Sequence, residues 1–386
     1  MRKWAKRLAI ALSALIIISA ASAYFVAHSA AKAVPRSQAL IGAPQSLHGD
    51  TNILLLGLDS RRANDGSDLP RQLLDLLHVG SSSDVGGYNT NTMILIHIPA
   101  GGGRAVAISI PRDDYVEVPG LGMKKIKEAY GLVKYTDETQ LVKEGIPNPQ
   151  REFLSREAGR EATIATIHNL LGVPIDHFAE VNLVGFYDLA NALGGVQVCL
   201  KHAVNDSQYS GAVFPAGIQT ISGADALKFV RQRHGLPEGD LDRTHRQQAF
   251  IAGVITKLRT EGIFGDLGKM SALLQVAKKD VVIDTGWDVL SFLPEAKSLT
   301  AGHITFYTLP IKGFASRNGQ SVNLVDPVKI KAFVKALFYP SKATPLANPS
   351  PVVSGPSVST PSPSPSNSVA NANGVPVQGG KIPCVN

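Results

Sequence analysis

The stretch Lys228–Gln248, KFVRQRHGLPEGDLDRTHRQQ, carries four arginines, one lysine and two histidines beside three acids. Arg231 and Arg233 alternate, so in an extended segment both side chains leave on one side. Arg243 and Arg246 stand three apart across a predicted helix start, where free backbone N–H groups and the helix dipole favour an anion. Guanidinium forks match phosphate oxygens two at a time, and a diphosphate offers acceptors for several forks at once. The competing reading is a solvated charged surface. Such a face draws on Lys and Glu pairs at i,i+4 spacing, whereas lysine and glutamate each occur once here. No HxxxH or HExxH pair supports zinc, and neither a GxSxG elbow nor a GxxxxGK[ST] loop is present. Aromatic residues are only 6% of the chain and do not interleave with the basic ones, so nucleic acid is not an expected partner.

A second set of polar residues falls at the ends of apolar runs. Asp59 and Arg61 follow NILLLGL, Asn91 opens NTMILIHI, and Arg112 with Asp113 follows AISIP. In open α/β sheets ligands settle beyond the carboxyl ends of strands. Asp59 is therefore a natural cation ligand and Arg112 a natural phosphate ligand. The bland alternative is that Asp59 and Asp113 cap loops and Arg112 pairs with one of them.

The elements that would position these residues alternate. TNILLLGLD (51–59), NTMILIHIP (91–99), RAVAISIPRD (104–113), DHFAEVN (176–182), VQVCL (196–200) and HITFYTLP (303–310) read as strands. EAGREATIATIHNLLG (157–172), LVGFYDLANALGG (183–195) and DPVKIKAFVKALF (326–338) read as helices, and DLPRQLLDLLHVG as an extra one. Ser222 with Asp225 suits an N-cap for ADALKFVRQ, and Thr244 with Gln247 a capping box for HRQQAFIAGVITKLR. Strands alternating with helices predict a sheet covered on both faces, as one unit over 50–340 after a linker at 28–49.

The 386-residue chain has a net charge of +7, and MRKWAKR (1–7) supplies four positive charges with no acid. Leu8–Ala27 then runs 20 residues without a charge, long enough to span a bilayer. A cytoplasmic N-terminus and an extracytoplasmic remainder follow from the preceding positive charges. A cleaved signal peptide is the alternative, given small residues around Ala21–Ala23 and Ala27–Ala31. Residues 341–386 turn rich in Pro, Ser and Asn and predict a disordered tail, of which only KIPCVN is expected to dock. The only cysteines, Cys199 and Cys384, exclude thiolate metal sites. In an oxidising compartment they either pair or remain two free thiols.

Taken together, ILLLGLDSR, NTMILIHI, AISIPRDDYV, KKIKEAYG, LGVPIDHFAEVNLVGFYDLANALGGV and KFVRQRHGLPEGDLDRTHRQQ resemble, in order, the LytR–CpsA–Psr family of cell-wall glycopolymer ligases. The resemblance implies a three-layer α/β/α sandwich around a mixed sheet, with a long apolar pocket for a lipid chain, behind one transmembrane helix. It implies a phosphotransferase that moves a glycopolymer from a polyprenyl-diphosphate carrier to a muramic acid hydroxyl of peptidoglycan, assisted by Mg²⁺ or Mn²⁺. By position, Asp59 matches the metal-binding acid, and Arg112, Arg231, Arg233 and Arg243 match diphosphate-binding arginines. Arg61, Gln247 and Lys125 stand with them, Lys125 near the entrance. Asp113 or Asp59 is expected to take the hydroxyl proton. Many relatives have Arg-x-Asp-Thr where this chain has Asn89-Thr90-Asn91-Thr92. Asn91 thus stands in the second metal-ligand position without a charge, which predicts weaker metal affinity. The alternatives are a lipid-diphosphate phosphatase and a noncatalytic envelope-binding or regulatory protein.

Overall fold

The computed structural model describes residues 29, 32–47, 49–80, 87–101, 103–262, 267–289, 291–292, 304–340, 377–378 and 382–386. In chain order the strands are β1 (Arg36–Ser37), β2 (Thr51–Leu58), β3 (Thr90–Ile98), β4 (Ala105–Ser109), β5 (Asp114–Val118), β6 (Gly122–Lys125), β7 (His177–Val181), β8 (Val196–Leu200) and β9 (Val204–Asp206). They continue with β10 (Ala212–Phe214), β11 (Gly217–Ile221), β12 (Val281–Asp284), β13 (Ile304–Thr308), β14 (Gly313–Arg317), β15 (Gln320–Leu324), β16 (Val377–Gln378) and β17 (Cys384–Val385). The helices are α1 (Arg71–Leu76), α2 (Glu128–Lys143), α3 (Gln150–Leu171), α4 (Leu183–Ala192), α5 (Gly223–Arg231), α6 (Asp240–Thr260), α7 (Leu267–Asp280) and α8 (Pro327–Phe338).

The main sheet has the order β1-β12-β7-β2-β3-β4-β13-β16 and mixes parallel with antiparallel pairs. Its apolar runs serve two cores at once, because successive side chains in a strand face opposite ways. Leu54, Leu56, Met93 and Leu95 pack with Ile164, Ile167 and Leu171 of α3 and with Ile330 and Val334 of α8. Ile53, Ile94 and Ile96 face the other way, onto Ala252 and Ile255 of α6. This is the expected α/β/α arrangement around a mixed sheet. Smaller sheets flank it. β11-β8-β17 joins α1, α4 and α5 around Leu77, Val198, Phe229 and Phe250. The four-stranded β14-β15-β5-β6 holds the segment after β4.

Several boundaries differ from expectation, each for a local reason. Residues 34–40, read as linker, enter the fold: Arg36–Ser37 pairs parallel with β12, and Val34 and Leu40 are buried. Helix α3 starts at Gln150 rather than Glu157, just after Pro149, and its seven extra residues carry buried Glu152, Ser155 and Arg156. Helix α6 starts at Asp240, so Thr244 is no cap; its hydroxyl donates within the helix to the Asp240 carbonyl at 3.1 Å. Ser222 does precede α5, but its side chain makes no capping bond. At α8 the cap is real, with Asp326 Oδ1 accepting from the N–H of Val328 and Lys329 at 3.1 and 3.2 Å.

The span 8–27 lies outside the described residues, and among the described residues no helix is long and apolar enough to cross a membrane. Of the tail, 377–378 and 382–386 are described, and both segments add a strand to a sheet. Cys199 and Cys384 form a disulfide, and Cys384–Val385 runs parallel to Cys199–Leu200.

Candidate functional site

Strand β3 is antiparallel to both β2 and β4. The end of β2, the start of β3 and the end of β4 therefore share one edge, which brings Asp59, Asn91 and Arg112 together. A bulge at Gly57–Leu58 closes the β2–β3 ladder, where a Cβ on Gly57 would stand 2.9 Å from Thr92 Cβ. Helix α6 brings its first turn to the same edge. It is locked there by Gln248, whose Nε2 donates to Ser109 Oγ at 2.9 Å, Thr308 Oγ1 at 3.0 Å and the Tyr307 carbonyl at 3.1 Å.

The side chains at this edge close a ring. Asn91 Nδ2 donates to Asp59 Oδ2 at 3.0 Å, while its Oδ1 accepts from Arg112 Nη1 at 2.9 Å. Arg112 Nε lies 3.0 Å from Asp240 Oδ1, and Asp240 Oδ2 lies 3.1 Å from Arg243 Nη2. Arg243 Nη2 returns to the Asn91 carbonyl at 3.2 Å. Asp113 sits behind Arg112. Its Oδ1 takes Lys127 Nζ at 2.8 Å and Lys125 Nζ at 3.1 Å, and its Oδ2 is 3.5 Å from Arg112 Nε. Arg61 Nη1 stands 3.3 Å from Asp59 Oδ1.

Cations outnumber carboxylates here, and burial makes the imbalance felt. Burial pushes the Arg243 guanidinium down to about 10, with Arg112 and Arg233 adding to the effect against Asp240. Arg231 is lowered by burial and by Arg61, against Asp59. Lys127 is lowered by burial and Arg112, despite Asp113. Burial alone would raise the Asp113 carboxyl, but Arg112, Lys127 and Lys125 together hold it below the usual range. Nε of Arg61 and Nε of Arg243 are buried without a hydrogen-bond acceptor, as is Asp59 Oδ1 without a donor. Leaving such groups unmet is costly. An anion with several oxygens would satisfy both the charge and the unmet N–H groups.

Over residues 17–338 the chain matches the model of the LytR_cpsA_psr family. The chain belongs to the LytR_cpsA_psr family. Among its relatives is the cell wall biosynthesis protein LcpA of Corynebacterium glutamicum, 41% identical over 288 residues, 74% of this chain and 55% of that protein. A second is the polyisoprenyl-teichoic acid–peptidoglycan teichoic acid transferase TagU of Bacillus licheniformis, 28% identical over 76% of this chain and 83% of that protein. This chain thus spans little more than half the length of the first of these. Among solved structures, protein gbs0355 of Streptococcus agalactiae aligns with a TM-score of 0.55 and 21% identity, covering 77% of this chain and 90% of that one. B. subtilis TagV aligns at 0.53 and 18% identity, covering 75% and 97%. Both share the mixed α/β fold of this chain.

Asp59, Arg61, Asn91, Arg112, Asp113, Lys125 and Arg243, read from the sequence, meet at this sheet edge through the contacts above. Lys125 is buried and paired with Asp113. Arg231 and Arg233 do not share an extended segment. Arg231 ends α5 and donates to the carbonyls of His78 and Leu77 at 3.3 and 3.4 Å, while Arg233 is exposed in the following turn. Gln247 is buried and donates to the Val230 carbonyl at 3.5 Å, which ties α5 to α6. Asn91 spends its amide on Asp59 and Arg112, which orients both side chains. Arg246 faces away: it lies over the Phe229 ring and donates to the Asn386 carbonyl at 2.6 Å.

Sequence reasoning missed Asp240 and Lys127. Lys127 was signalled by sitting two residues beyond Lys125 in KKIKE. Asp240 was signalled only by standing three residues before Arg243. A cleft of about 530 Å³ lined by Pro149, Phe153 and Arg156, and a smaller one at His78 and Tyr209, include none of the cluster residues. Neither supplies the long apolar pocket implied by the resemblance.

Proposed function

We propose that this chain is a phosphotransferase that moves a glycopolymer from a polyprenyl-diphosphate carrier onto a muramic acid hydroxyl of peptidoglycan, forming a phosphodiester. The observation that carries the reading is the buried arginine cluster at the strand ends, in which carboxylates are too few and N–H groups go unmet. The relatives' names, a cell wall biosynthesis protein and a teichoic acid transferase, support the same class of reaction. Phosphoryl transfer needs positioning and charge neutralisation more than a covalent nucleophile, which this site offers.

Arg112 and Arg243, held apart by Asp240 and Asn91, would straddle the diphosphate. Arg231 and Arg233 at the rim would meet the departing prenyl phosphate as its charge grows. Lys125 and Lys127 support the site from behind by fixing Asp113. Asp59, with one buried oxygen free of hydrogen bonds, fits the habit of Mg²⁺ to take one or two carboxylates together with phosphate oxygens and waters. When bound there, Mg²⁺ or Mn²⁺ would neutralise phosphate charge. The uncharged Asn91 leaves Asp59 to hold it without a second acid. A single-pass anchor at 8–27, with the catalytic domain outside the cytoplasmic membrane, would set the site beside its lipid-borne donor.

Arg233 is exposed, so its substitution tests the chemistry with little risk to the fold. Charged hydrogen bonds contribute about 1.5–3 kcal/mol, so Arg233→Ala or Arg231→Ala is expected to slow polymer attachment by about 10- to 100-fold. Attachment measured in cells that carry the variant as sole copy, if unchanged in both, refutes the reading.

A further inference from the structure

The cluster holds several carboxylates, and three of them are poorly placed to take a proton. Asp113 is gripped at 3.1 and 2.8 Å by Lys125 and Lys127, whose ion pairs among the described residues are with it alone, so a diphosphate that draws Arg112 away still leaves it held. Asp59 accepts from Asn91 at 3.0 Å and faces Arg61, and its remaining oxygen is the one suited to a cation. Asp114 is fully enclosed, accepting from Asn323 Nδ2 at 3.0 Å. Asn91 has only an amide, which carries no basic lone pair at neutral pH.

Asp240 differs. Its cationic partners are Arg112 at 3.0 Å and Arg243 at 3.1 Å, and its side chain is 24% exposed on the first turn of α6. These are the two arginines at the heart of the ring, and the buried Nε of each has no well-aligned acceptor. Asp240 thus sits between them as a resident anion. A diphosphate brings more charge and more oxygens to both forks than one carboxylate can.

We propose that Asp240 is the proton acceptor for the attacking hydroxyl, held by Arg112 and Arg243 until the diphosphate takes both arginines. This rests on the phosphotransferase reading above. The hydroxyl oxygen bonds to the phosphorus that bears the glycopolymer. The bond from that phosphorus to the bridging oxygen breaks, and its electron pair leaves on the prenyl phosphate. The hydroxyl proton passes to Asp240, which returns it to water once products depart. The two states of Asp240 couple donor binding to base availability, so the base is freed only when a donor is in place.

The rival is that Asp240 merely spaces the two arginines. Binding and transfer separate the two. Calorimetry with inorganic pyrophosphate and a transfer assay at saturating donor are to be run on the full chain, Asp240→Asn and Asp240→Glu. General-base catalysis is worth about 100- to 10,000-fold. Asp240→Asn is therefore expected to bind pyrophosphate at least as tightly as the parent while losing about that factor in transfer rate. Asp240→Glu should recover part of the rate. Unchanged transfer in Asp240→Asn overturns the proposal, and so does joint loss of pyrophosphate binding and transfer, which marks a spacer. A parent chain that neither binds pyrophosphate nor transfers polymer overturns the phosphotransferase reading itself.

Discussion

Arg112→Ala is expected to lower kcat/KM for polymer transfer by about 1,000-fold or more while leaving the fold intact. Removing one preorganised donor to developing oxyanion charge costs about 2.7–4 kcal/mol, and Arg112 serves the site twice. It offers a fork to the diphosphate, and it carries the link from Asn91 to Asp240 that sets the spacing to Arg243. The fold survives because Asp113 keeps Lys125 and Lys127, so no buried carboxylate is abandoned. Arg112→Lys retains the charge but not the fork and is expected to fall between parent and alanine. Steady-state kinetics beside a urea unfolding curve checks both halves. A large drop in the unfolding midpoint would mean that Arg112 is structural.

Glu180→Ala is expected to act the other way, removing about 3–5 kcal/mol of stability before any question of chemistry arises. Glu180 is fully buried on β7 and is gripped bidentately by Arg160, at 2.8 Å through Nε and 2.9 Å through Nη2. Arg156 Nη2 lies 3.7 Å from the same carboxylate. Burial alone would raise the Glu180 carboxyl, yet Arg160 and Arg156 hold it below its ordinary value. Deleting it leaves two buried guanidiniums short of countercharge, the costly way to break a buried pair. The shift in urea midpoint measures the loss. A drop below 1 kcal/mol would show that the remaining Glu152 and Glu157 contacts suffice.

Much of the fold was legible because its signals are local. The run Ile53-Leu54-Leu55-Leu56 reads as a strand with both faces buried, and Asp326 before Pro327 marks a helix start. The site was legible where its residues end strands, as at Asp59, Asn91 and Arg112. What escaped depends on partners distant in the chain. Arg36–Ser37 is a strand only because β12, 247 positions on, lies beside it. Arg246 looked like a companion to Arg243, but Phe229 and Asn386 give it another task. Asp240 was hidden by the apparent capping box at Thr244. Moving the helix start to Asp240 turns an acid in a loop into the hub between two arginines.

The central claim is that the arginine cluster passes a phosphoryl-linked polymer to a wall hydroxyl. Its most direct test incubates the purified chain with a prenyl-diphosphate-linked glycan, with and without peptidoglycan, and follows prenyl phosphate and polymer-bearing peptidoglycan together. Both products are expected in equal amounts and only when the acceptor is present. Phosphate release at the same rate without acceptor, or no reaction with it, would contradict the claim.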